Sequence, residues 1–147
     1  MLSKRGFTLL ELIVVIIIIG ILATLGLTQY GRMIERGRGA EARTIAGSIR
    51  SLGAGHYLEY NSLTTTAFDV TRAGIGIADD QIPSVCRTSH YFSYALAPAP
   101  TATVLSVTAT RCGATGRGGV TPAAGRTLIL TTTLPAGTDA WTGTGGY

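Results

Sequence analysis

Charge is scarce in this sequence. Only 14% of its residues are Asp, Glu, Lys or Arg, against about a quarter in an ordinary soluble domain. Lysine is nearly missing: Lys4 is the only one, and arginine supplies every later basic residue. The formal net charge is +4; setting aside Lys4 and Arg5 leaves 12 − 2 = 10 basic against 8 acidic residues, or +2. That balance is too weak to make nucleic acid a main partner. There are two cysteines, Cys86 and Cys112, so a CxxC redox or metal spacing is excluded. Catalytic signatures are missing as well. The sequence holds no GxSxG, no HExxH, no Walker loop and no GxGxxG after a strand. His56 and His90 lie far apart without evident metal partners. His56 falls near a predicted helix end, where a cation suits the dipole, and His90 opens a predicted strand. Nothing here calls for catalysis, a cofactor or a small-molecule substrate.

What the sequence does hold is one long apolar run. Phe7 to Leu27 carries a single charge, Glu11. As a helix rising ~1.5 Å per residue, it spans about 30 Å, the thickness of a bilayer core. Lys4 and Arg5 precede it, which favours an N-in orientation. Arg32, Arg36, Arg38 and Arg43 follow it, partly offset by Glu35 and Glu41, so composition alone does not settle orientation. A secretory signal peptide has a shorter apolar region ending at a small-x-small site. A plain membrane anchor accommodates the length but gives no reason for Glu11. An acid at mid-membrane costs about 2.5–3.5 kcal/mol on insertion scales and marks a functional position with a partner.

The segment Lys4-Arg5-Gly6-Phe7-Thr8-Leu9-Leu10-Glu11-Leu12-Ile13 resembles the class III leader of type IV pilins and type II secretion pseudopilins. The resemblance covers residues 4 to 30, about a fifth of the chain, and is highly specific. It implies that a prepilin peptidase cuts between Gly6 and Phe7 and N-methylates Phe7. Phe7 becomes the first mature residue and Glu11 the fifth. It further implies that Glu11 pairs with the N-terminal amine of a neighbouring Phe7, setting register in a filament. If the C-terminal part is exported, a disulfide between Cys86 and Cys112 is the natural reading; two unpaired buried thiols are the alternative.

Helical periodicity continues past the membrane run. Tyr30, Ile34, Ala42, Ile45, Ile49 and Leu52 recur near the helical period with charged residues between them, an amphipathic pattern. One helix is predicted from Phe7 to Tyr60, about 80 Å long. Its glycines weaken it by roughly 1 kcal/mol each, and the stretch between Gly20 and Gly26 is where it is expected to unwind or to approach another helix closely. Members of the family often carry a proline at the position of Thr28; this chain has none.

Residues 61 to 88 read as a connection, with a short helix expected over Ala67–Ala73. Asp69, Asp79 and Asp80 are its acids, too few and too irregular for a calcium loop. Strands are predicted at Tyr91–Leu96, Thr103–Thr110 and Arg126–Thr133, with Leu105, Val107 and Ala109 on one face. The tail from Leu134 to Tyr147 is expected to be extended, shielding a sheet edge with Trp141 as its anchor, or presenting Trp141 to a neighbour.

The expected fold is α+β: a long N-terminal helix on a three- to four-stranded antiparallel sheet, covered by Ile45, Ile49 and Leu52. The expected domains are a leader (1–6), a membrane and assembly helix (7–28), an amphipathic helix (29–60) and a globular domain (61–147). By resemblance the chain is the major pilin of a type IV pilus. It sits in a bacterial inner membrane, its C-terminal domain periplasmic, before joining an extracellular filament. The implied partners are prepilin peptidase, an inner-membrane assembly platform, membrane lipid and further copies of itself. A type II secretion pseudopilin is the alternative, although acids are sparse in the tail, where only Asp139 occurs. A minor pilin serving adhesion or DNA uptake is another, with Arg111, Arg117 and Arg126 as its candidate nucleic-acid contacts.

Overall fold

A computed structural model of the chain describes residues 7–76, 81–117, 119 and 124–144. The leader Lys4-Arg5-Gly6 and the acids Asp79 and Asp80 lie outside the described residues. The elements run α1 (Leu9–Tyr60), β1 (Phe92–Leu96), β2 (Val104–Arg111), β3 (Thr127–Thr133) and β4 (Thr138–Gly143). The fold is therefore α+β, as the sequence predicts. The chain divides into two compact units, Met1–Glu35 and Arg36–Tyr147.

Both ends of α1 are set by local chemistry. At the start, the Thr8 hydroxyl accepts a hydrogen bond from the Glu11 amide at 3.3 Å, an N-cap of the T-x-x-E kind. At the end, Asn61 takes a positive φ of 52° and donates its amide to the Tyr57 carbonyl at 2.7 Å. Asparagine tolerates this left-handed stop better than most residues. Between Gly20 and Gly26 the helix continues without a break, so the expected unwinding is not present in the chain by itself.

In the first unit, every described residue from Phe7 to Ile34 is exposed. The apolar run has no inner face because no described residue of its own unit covers it. In the second unit the helix has one buried stripe: Gly39, Ala42, Ala46, Ile49, Gly53, His56 and Tyr57. The steps of three and four keep these residues on one side. Leu52, expected in that stripe, is instead 49% exposed. Ile49 and Gly53 take the two positions that face the sheet, which turns Leu52 away.

The sheet is an antiparallel meander in the order β1-β2-β3-β4. Its register aligns Tyr94 with Ala109 and Leu128, and Leu96 with Val107, Leu130 and Trp141. Alternation puts Leu105, Val107 and Ala109 on the face that meets the helix, and all three are buried. The tail is a fourth strand, every residue of which is exposed. It forms the sheet edge and does not shield one. Trp141 is 42% exposed and lies under the Arg43 guanidinium, 5.8 Å from its ring centroid.

The connection after α1 contributes more than linkage. Leu63, Phe68, Ala73 and Ile75 enter the core. The short helix expected over Ala67–Ala73 is replaced by successive turns. Asp69 Oδ1 accepts the Arg72 amide at 3.0 Å, and Gly74 and Gly76 take φ values of 76° and 77°. Those left-handed residues end the run of turns just past Ala73.

Close approach between helix and sheet depends on small side chains. A Cβ on Gly53 would lie 2.5 Å from Leu105 Cδ2 and 3.5 Å from Phe68 Cε1. Gly55, two residues on, faces open space. Gly53→Val is expected to cost about 1–3 kcal/mol by overpacking. Gly55→Val should change stability by no more than about 0.5 kcal/mol. Denaturant unfolding of the two variants in the same detergent measures the difference.

Candidate functional site

Chemistry in this chain concentrates at the head of α1. Thr8 fixes where the helix begins, so Phe7 lies outside it and is 76% exposed. Glu11 occupies the third helical position and is exposed. Its carboxylate there complements the positive end of the helix dipole. The same residue is an acid in a surface that is otherwise apolar to Leu27. No described residue of its own unit buries it. Thr8 was not singled out from the sequence, yet the T-x-x-E spacing carries its signal. Gly6, the expected cleavage position, lies outside the described residues.

The other predicted pair is joined. Cys86 and Cys112 form a disulfide with Cα atoms 5.5 Å apart. It ties the segment before β1 to the residue that follows β2. The Cys112 amide also donates to the Tyr91 carbonyl at 2.9 Å, so the disulfide reinforces an existing backbone contact.

Polar contacts hold the helix to the sheet at two heights. Near the start of the second unit, Glu41 Oε1 accepts the Tyr91 amide at 3.0 Å. Burial, with the Glu41 charge added, pushes the Tyr94 hydroxyl well above its ordinary pKa. Farther along, Arg50 Nε donates to Asp139 Oδ1 at 2.8 Å. Thr132 Oγ1 donates to the same oxygen at 2.8 Å, and Arg50 Nη2 donates to the Gly137 carbonyl at 3.3 Å. Desolvation by its neighbours opposes ionisation of Asp139. The hydrogen bonds from Arg50 and Thr132 and the Arg50 charge outweigh it, holding the carboxyl below its usual range. Arg50 and Asp139 are 89 residues apart, which explains why the latch was invisible to a linear reading.

Arg111 corrects an expectation. Suggested as a surface contact for nucleic acid, it is 1% exposed. Its Nη1 donates to the carbonyls of Tyr91 at 3.0 Å and Cys112 at 2.9 Å. Alternation along β2 carries it to the inner face, where it serves the structure. Arg117 and Arg126 are exposed. His56 is buried, with Nε2 3.1 Å from Thr66 Oγ1, and its ring lies against Tyr60 and Phe68. Among the described residues, no group of three or more His, Cys, Asp or Glu side chains is placed to hold a metal.

These features define a class first: an apolar helix long enough to cross a membrane, headed by a capped acid, followed by a disulfide-clamped antiparallel sheet. Comparison with known proteins narrows it. Residues 1–27 match the family described as the prokaryotic N-terminal methylation motif. The chain is similar to a fimbrial protein of Moraxella nonliquefaciens, 45% identical over 49 residues, 33% of this chain and 32% of that protein. It is also similar to the fimbrial protein EcpC of Eikenella corrodens, 41% identical over 54 residues, 37% of this chain and 35% of that one. The matches span about a third of these relatives' length.

Two tests follow from the contacts. Replacing Cys86 and Cys112 together by Ser opens a loop of 26 residues. The chain-entropy relation places the loss at about 3.5 kcal/mol, readable as a lower unfolding midpoint under non-reducing conditions. The Asp139 latch gives a pH signature. A carboxyl whose folded pKa is depressed stabilises fully above its unfolded value, about 3.9. That contribution is lost as pH falls through the folded value. Asp139→Asn should therefore be less stable than the parent chain at pH 7, with the gap closing below about pH 4 in paired unfolding curves.

Proposed function

We propose that this chain is the precursor of a type IV pilin, and specifically of the major subunit of the pilus. Prepilin peptidase cuts between Gly6 and Phe7 and methylates the Phe7 amine. The mature subunit waits in the inner membrane, its sheet domain on the periplasmic side, until an assembly platform adds it to an extracellular filament. The observation that carries this reading is Glu11, a single acid in an apolar helical surface otherwise exposed to Leu27. A membrane anchor alone gives such an acid no purpose. In a bundle of many copies, Glu11 meets the Phe7 amine of a neighbour. In hydrocarbon an unpaired charge is costly, so the pairing selects one axial register as well as attracting the subunits. Repetition of one head-to-tail contact builds a helical polymer without closed symmetry.

The cap at Thr8 supports the processing step. It starts the helix after Phe7, so the residue that follows the cut lies outside the helix. The disulfide and the chain's similarity to fimbrial proteins support the filament reading over an enzyme. Asp139 bears on the choice between pilus and secretion machine. By resemblance, a secretion pseudopilin carries an acid-rich calcium loop in its tail. Here the tail's acid is engaged by Arg50 and Thr132, which favours the pilus.

Glu11→Ala tests the mechanism. The expected result is normal cleavage at Gly6-Phe7, seen as a shift in mass, with filament assembly lost. Normal filaments from that variant would sink the register argument. A major subunit should also dominate filaments sheared from cells.

A further inference from the structure

The two edges of the sheet are finished differently. β1 is guarded. The Tyr94 amide points outward from it and donates to the Pro83 carbonyl at 2.8 Å. The strand then runs into Ala97-Pro98-Ala99-Pro100, and proline offers no amide for pairing. β4 lacks these defences. Its sequence, Thr138-Asp139-Ala140-Trp141-Thr142-Gly143, has neither the proline nor the lysine that blunts an edge. All of its residues are exposed.

The phase of the hydrogen bonds shows which backbone groups are open. The Thr144 amide donates to the Thr127 carbonyl at 3.0 Å, one step beyond the Leu128 and Gly143 pair. Antiparallel pairs alternate between bonded and non-bonded. Thr138, Ala140 and Thr142 therefore turn their backbone groups toward β3. Asp139, Trp141 and Gly143 direct theirs outward, and no backbone group among the described residues meets them there. Such a row fits one chemistry, another extended backbone. Side chains narrow it to a copy of the same strand. Asp139 is the strand's sole charge, held by Arg50 and Thr132. Self-pairing centred on Asp139 would set two carboxylates opposite each other, which is destabilising. Centred on Trp141, it sets Asp139 against Gly143 and brings the two Trp141 rings side by side, a favourable aromatic pair. The ring is 42% exposed, so it has surface left to bury. Every outward amide and carbonyl then meets its counterpart, in about six hydrogen bonds.

We propose that β4 is a self-association edge, at which two copies of the chain pair their β4 strands antiparallel about Trp141 and join two sheets into one. The contact is isologous, so it closes at two copies. It differs from the repeating contact proposed for the filament and does not use Glu11. The full, disulfide-bonded chain in mild detergent tests it. Cys86 and Cys112 are bonded to each other and no cysteine is free, so an introduced thiol reports alone. Ala140 of one copy faces Thr142 of the other at a non-bonded pair, with Cα atoms about 4.5 Å apart, within disulfide reach. Each residue lies about 7–8 Å from its own equivalent, beyond that reach. Ala140→Cys mixed with Thr142→Cys should give about tenfold more covalent dimer under mild oxidation than either variant alone. Equal yields from the mixture and the single variants would overturn the proposal, as would no dimer in any of them. Charge supplies a readout without oxidation. Ala140→Lys and Thr142→Lys in one chain set lysine against lysine and should weaken dimerisation about tenfold in sedimentation, with the unfolding midpoint unchanged. Mixing that chain with one carrying Ala140→Glu and Thr142→Glu should restore the dimer; no restoration counts against the pairing. Glu11→Ala should leave the dimer as it is, so this claim and the filament reading fail separately.

Discussion

The contact between α1 and the sheet is the constraint on which the folded unit depends. It is short-range because the helix presents Gly39, Ala42, Ala46 and Gly53 where larger side chains would hold the layers apart. The sheet answers with Leu105, Val107, Leu128 and Leu130. Dispersion and burial at that distance reward each added methylene and punish each misplaced one. The connection after α1 closes the far end of this contact with Leu63 and Phe68, and the disulfide clamps the near end. Glu41 with Tyr91, and Arg50 with Asp139, then fix the helix against sliding along the strands.

The same helix carries a second, opposite demand. Apart from Glu11, residues 7 to 27 are uncharged, and all of them are exposed. Burial at roughly 25 cal/mol per Å² makes such a surface untenable in water; in the proposed function it is covered first by lipid and then by other copies of itself. Glu11 makes the choice between those surroundings matter. Lipid offers its charge no counterpart, whereas a neighbouring amine does. In the proposed function, the cost of holding one acid in the membrane becomes the driving force and the register signal of assembly.

Charge is rationed in this chain, and the structure shows where it is used. Arginine, not lysine, does the work after Lys4. Its planar group can stack on Tyr91, donate to several carbonyls from a buried site, as Arg111 does, or reach a carboxylate and a carbonyl together, as Arg50 does. Lysine's compact, strongly hydrated ammonium suits none of these as well.

Much of this was legible in the residues because it is local. Hydropathy along Phe7–Leu27, the T-x-x-E spacing at Thr8, the stop at Asn61 and the alternation through Leu105, Val107 and Ala109 depend only on near neighbours. Element types and the head of the helix follow from them. Tertiary structure decided what depends on distant partners. It turned Leu52 outward in favour of Gly53, converted the tail into a fourth strand and drew Asp139 to Arg50. It also buried Arg111, which a charge count had placed on the surface. A linear pattern records the period of an element but not the phase at which it meets another. That phase is set by packing, and packing chose the small residues.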